Sequence, residues 1–205
     1  MAEAKSIQDV FWKTDAVLAT AKYGLSMATG PDATVRMIGV HNVAVGRAVS
    51  NALQNLRTVC GTNFDAWYAD IQAEMKASEL CRYFIELRNE ILKEGPPEPT
   101  GTSVYVAHFS SEDVNRSPQP PGATNFILGD RIGGNGWLVQ LPDGTTQMFY
   151  VAVPPDLVTN YLHLPDPPKS HLNGTISDTS IGNLATIYLG YLESIVESTK
   201  AHFLS

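Results

Sequence analysis

Three arginines in a stretch without acids are the first residues whose spacing suggests chemistry. Between Ala33 and Phe64 there is no Asp or Glu, yet Arg36, Arg47 and Arg57 all fall there. On one continuous helix, at about 100° per residue, Arg47 lies about 20° from Arg36 and Arg57 about 60° to the other side. The three then share one face, a candidate ligand-binding stripe for RNA phosphates, an acidic ligand or an acidic face of a second subunit. The plainer expectation is a solvated face paired with carboxylates of neighbouring helices.

Other chemistry is thinner. His163, Asp166 and His171 are close in sequence but sit in a proline-rich stretch whose spacing does not converge them, so no metal site is expected. Gly129 to Gly136 is glycine-rich but lacks the lysine of a phosphate loop, and a hairpin loop is expected there. No Gly-x-Ser-x-Gly occurs. Cys60 and Cys81 fall in expected helices as free thiols, and no cofactor is implied. Trp137, Phe149 and Tyr150 would suit a lid over a small ligand, or simply the packing of a hairpin on helices.

Composition limits the partners. The 205 residues carry a net charge of −7. The acidity is uneven, with ten basic and twelve acidic residues through Thr102, then four and nine. Non-specific coating of nucleic acid is therefore disfavoured, while one basic groove on the first half is not. No apolar run is long enough to cross a membrane, and the opening residues lack a basic-then-apolar leader pattern, so a cytoplasmic location is expected.

The elements that must position these residues are mainly α-helical. Apolar periodicity predicts four helices in residues 1–95: Ile7 to Thr29, Asp32 to Val59, a short one from Asn63 or Asp65, and one capped by Ser78. In the last, Leu80, Phe84, Leu87 and Ile91 form the stripe. A Pro/Gly linker follows at 96–102. Residues 103–175 read as a small antiparallel insertion. Its strands are expected at Val104–Phe109 and Asn125–Leu128, followed by a hairpin around Pro142-Asp143-Gly144 and then a proline-rich loop. Residues 176–205 supply a last helix, capped by Ser177 or Asp178, that must return to the bundle to bury its stripe. The expected fold is a bundle of about five helices with a small β-hairpin insertion.

One stretch adds a resemblance. Phe64-Asp65-Ala66-Trp67-Tyr68, Glu74-Met75-Lys76 and the run Phe84 to Pro96, with Arg88-Asn89 ahead of Lys93-Glu94-Gly95, resemble uncharacterised prokaryotic helical proteins. Those in turn resemble the HEPN superfamily. The likeness covers roughly Asp32 to Pro96 and implies a compact helical, often dimeric, module. Catalytic members are metal-independent ribonucleases with Arg, a polar residue, and a His four to six intervening residues after the Arg. The arginine would stabilise phosphate charge and the histidine would move the proton of the ribose hydroxyl. Arg88-Asn89 fits the first two positions. The histidine window holds Lys93, Glu94 and Gly95, and lysine, with a reference pKa of about 10.4, is a poor base at neutral pH. Arg36 and His41 have the right spacing elsewhere, with Met37 where a polar residue is favoured. The weak catalytic candidates are Arg88, Asn89, Lys93 and His41. The resemblance thus implies a non-catalytic, homodimeric interaction module that binds RNA or an acidic ligand. The alternative is a ribonuclease of a toxin or phage-defence system.

Overall fold

The computed structural model describes residues 6–204. Residues 1–5, expected as part of the bundle, and Ser205 lie outside the described residues.

Local chemistry sets each helix boundary. Ser6 opens α1 (Ile7–Ala28) with a reciprocal cap: its hydroxyl accepts the Asp9 N–H while the Asp9 carboxylate accepts the Ser6 N–H. Gly30-Pro31 ends that helix. Asp32 caps α2 (Ala33–Val45) by accepting the Thr34 N–H at 2.9 Å. The expected single helix to Val59 is instead a jointed path. After Gly46 come α3 (Arg47–Leu53), a 3₁₀ turn (Gln54–Leu56) and α4 (Arg57–Cys60), which ends at Gly61 with φ +58°. The joint has a steric reason. The Gly46 N–H reaches back to the Val43 carbonyl at 2.8 Å, tightening the turn. A Cβ there would sit 2.8 Å from that carbonyl oxygen and 3.3 Å from Leu189.

Next are α5 (Thr62–Ala77) and α6 (Glu79–Glu94), the latter capped by Ser78, whose hydroxyl accepts the Cys81 N–H at 3.1 Å. The last helix, α8 (Ile181–Phe203), starts two to three residues later than expected, with Ser180 as its cap. A short α7 (Ser111–Arg116) lies in the insertion. Among the described residues, five helices have thirteen residues or more, and the fold is mainly α.

The helices share one core. Ala21, Val40, Val49, Leu53, Phe64, Leu80, Leu184 and Leu192 are all essentially inaccessible to solvent. Phe84 of α6 stacks on Tyr188 of α8 with ring centroids 4.3 Å apart. The α8 stripe, from Ile181 to Val196, thus finds its partner in the bundle.

The β region is larger than the single hairpin expected. Strands β1 (Gly101–Val106) and β5 (Val158–His163) pair antiparallel, in register from Gly101 against His163 to Val106 against Val158. Between them, β2 (Ala123–Ile127), β3 (Gly136–Gln140) and β4 (Thr146–Tyr150) form a second sheet in the order β2-β3-β4. The expected Asp143-Gly144 turn joins β3 to β4. A third, two-residue ladder pairs β6 (Ser170–His171) with β7 (Gly174–Thr175). The proline-rich stretch after Pro155 is therefore structured: β5 lies inside it, and Leu162 and Leu164 enter the helical core. Pro97 and Pro99, in the stretch read as a linker, are buried, and the Thr100 N–H donates to the His163 carbonyl at 3.0 Å.

Candidate functional site

Helical spacing brings three cations to one hollow. Arg47, Ser50 and Gln54 follow one another at intervals of three and four on α3 and the 3₁₀ turn. Tyr68, Gln72, Met75 and Lys76 do the same on α5, and Arg82 and Ile85 on α6. Together they line a cavity of about 180 Å³. Ser50, Tyr68 and Met75 are buried and form its floor, while Lys76 and Arg82 are exposed at its rim. Among the described residues, no acid lines it. Among the described residues, none of the three cations makes an ion pair.

Arg47 is the unusual member. It is half-buried, and its Nη1 is fully shielded yet has no hydrogen-bond partner among the described residues. An unmet buried donor costs about 1–3 kcal/mol, more on a charged group. Burial raises the Tyr68 phenol pKa, with the Ser50 hydroxyl and the Arg47 charge opposing it. Burial likewise pushes the Cys81 thiol up, against the pull of Ser78 and Arg47. The hollow is thus a positive depression with a floor that stays neutral.

The expected arginine stripe does not survive folding. Arg36, 3% exposed, is buried under the insertion: its Nε donates to the Gly30 carbonyl at 3.1 Å, and its Nη1 presses on Gly133. Burial lowers its pKa, and the charges of Asp130 and Asp32 counter that. Arg57 is exposed and spent on Asp65, with Nε to Oδ1 at 2.6 Å. Of the three, Arg47 alone lines the hollow. Lys76 and Arg82 belong to other helices, and no local pattern marks them as its companions.

Among the described residues, no hydrogen bond joins the catalytic candidates across helices. Arg88 is half-buried on α6, about 120° around the helix from Arg82. Its Nη1 donates to Oδ1 of the adjacent Asn89 at 3.3 Å. Asn89 and Lys93 are exposed. His41 is half-buried on α2 and makes no hydrogen bond to any of them among the described residues.

The remaining motifs have local roles. His163 Nε2 lies 2.9 Å from the Ser103 hydroxyl, and His171 Nδ1 lies 2.8 Å from that of Ser78. Among the described residues no three His, Cys, Asp or Glu converge as a metal site. In the glycine-rich loop, Asp130 accepts the N–H groups of Ile132 and Gly134 and the Tyr150 hydroxyl, at 3.1, 2.6 and 2.7 Å. A carboxylate of the chain itself therefore occupies the donors that a phosphate loop would offer. The Tyr150 phenol is pushed up to about 12 by burial and by Asp130, so it stays a donor. Trp137 packs edge-on against Phe126 with centroids 5.1 Å apart, while Phe149 is exposed. Cys60 and Cys81 are free thiols.

A mainly α bundle with a basic hollow and an elaborated β insertion is the class of protein that emerges. Residues 34–111 match a family model described as bacteriophage lambda protein ea47. The matched span, less than half of the chain, runs from α2 to the first residue of α7 and contains Arg47, Lys76, Arg82 and the Arg88-Asn89 pair. No curated protein and no solved structure matches the chain. No helix among the described residues is long and apolar enough to cross a membrane.

Proposed function

We propose that the protein is a HEPN-like, non-catalytic module that forms a homodimer and binds an acidic ligand or RNA through the Arg47 hollow. The observation carrying this reading is a hollow lined by three cations, Arg47, Lys76 and Arg82, and, among the described residues, by no acid. An anionic oxygen in the hollow would accept charge-assisted hydrogen bonds from these cations. The dimer part of the reading rests on Trp12 and Tyr23, which are 72% and 66% exposed and share one face of α1. The family match at 34–111 supports a phage-related setting.

Titration of the purified protein with an oligoribonucleotide and with inorganic phosphate tests the binding. Occupancy should raise the melting temperature, since a ligand at one hundred times its Kd stabilises by about 2.7 kcal/mol. Arg47→Met should abolish that rise. A rise that is unchanged in Arg47→Met overturns the site. Light scattering that shows a monomer at high concentration overturns the dimer. The ribonuclease alternative is favoured by one fact: among the described residues, Arg88 bonds only to Asn89 and makes no ion pair, which leaves its charge free for a phosphate. RNA cleavage without metal that Arg88→Ala abolishes would establish that alternative.

A further inference from the structure

The hollow is built for one concentrated negative charge and not for a passing strand. An internal phosphodiester carries a single charge and is followed by another, so proteins that hold a strand string their cations along a groove. Here three cations line a single cavity, two of them at its rim. The two arginines that would extend a track along α2 to α4 are withdrawn from it, Arg36 under Gly133 and Arg57 into its pair with Asp65. What remains is three cations around about 180 Å³. That is smaller than the roughly 300–1,000 Å³ of sites that engulf a whole small molecule. It suits a head group whose attached body stays outside the hollow. A phosphate monoester carries about −1.5 to −2 charges at neutral pH, against −1 for a diester, and presents three oxygens to the surrounding donors.

We infer that the hollow takes a terminal phosphate monoester, held by Arg47, Lys76 and Arg82, and so distinguishes a phosphorylated end from the interior of a nucleic-acid strand. This inference rests on the proposed anion-binding role of the same site. The monoester is either a free nucleotide or the 5′ end of an RNA, and the shared head group is what the site reads.

The test is a set of binding titrations on the full-length protein with three probes: uridine 5′-monophosphate, a 5′-phosphorylated hexauridylate, and the same hexamer with a 5′-hydroxyl. The 5′-phosphorylated hexamer should bind at least tenfold more tightly than its hydroxyl counterpart. Arg82→Gln, at an exposed rim position where folding is not at stake, should erase most of that difference, and Arg47→Met all of it. Comparable binding of the mononucleotide and the phosphorylated hexamer identifies the free nucleotide as sufficient. Tighter binding of the phosphorylated hexamer identifies the RNA end. Equal binding of the two hexamers that is lost in Arg47→Met overturns end recognition and leaves the anion site standing. No binding of any probe overturns both.

Discussion

The α1–α2 crossing makes a sharp prediction about two glycines. Gly24 and Gly39 face each other across the helix pair, and the backbones meet there. A Cβ at Gly39 would lie 2.3 Å from the Ala28 nitrogen and 2.6 Å from the Gly24 carbonyl oxygen. Both distances fall about 1 Å short of ordinary contact, and both partners are backbone, which cannot swing aside. Overpacking of a well-filled interface costs about 1–3 kcal/mol, and rigid backbone partners place this case at the top of that range. Alanine returns about 1 kcal/mol of helix propensity. Gly39→Ala should therefore destabilise by about 2 kcal/mol, lowering the melting temperature by about 4–8 °C in a chain of this size. Gly190, exposed on α8, has nothing within 4 Å of its notional Cβ. There the propensity term acts alone, and Gly190→Ala should stabilise by about 1 kcal/mol. Thermal and urea unfolding of the two variants beside the parent protein measure both signs. A Gly39→Ala protein as stable as the parent, or more so, would refute the close crossing. The crossing bears on function as well, because α3, which carries Arg47, follows α2 with one residue between them.

Two further perturbations test the insertion and its attachment. Tyr150→Phe removes the hydroxyl that donates to Asp130 but leaves that carboxylate its two backbone donors, so chemical unfolding should show a loss of about 1–3 kcal/mol. The Ser78 hydroxyl accepts the Cys81 N–H and lies within hydrogen-bond distance of His171 Nδ1, and burial lowers the imidazole pKa. With the folded pKa below the unfolded value of about 6.5, its contribution is fully present above that pH and is lost as pH falls through the folded pKa. Melting temperature should drop on acidification below about pH 6.5, and His171→Gln should remove that part of the slope; an identical slope in the variant would count against it.

Particular residues show what a sequence carries and what it does not. The α6 stripe and its Ser78 cap are legible because both are local: four apolar residues at helical spacing and one hydroxyl ahead of them. The Asp143-Gly144 hairpin is legible for the same reason. β5 was hidden because its partner, β1, lies more than fifty residues away, and because prolines on both sides resemble loop. The arginine stripe misled because helical spacing fixes direction and not surroundings. Arg36 faces the insertion loop, Arg57 meets an acid on α5, and only Arg47 reaches the hollow. Lys76 and Arg82 could not be joined to it without the packing of α5 against α6.

The β1–β5 ribbon has a consequence for how this chain tolerates change. Gly101–Val106 and Val158–His163 run side by side, so the chain leaves the helical body and re-enters it at one doorway. Whatever lies between, residues 107–157, is a closed excursion that never threads the bundle. The entropy of closing such an excursion grows only as the logarithm of its length, about 0.6 kcal/mol per doubling. Lengthening that segment at its exposed Asp143-Gly144 turn leaves the doorway in place, whereas the loop at Gly133 and Gly134, which covers Arg36 and Ala33 of α2, is held to the body. The insertion is in this sense extendable at its outer turn and fixed at its base.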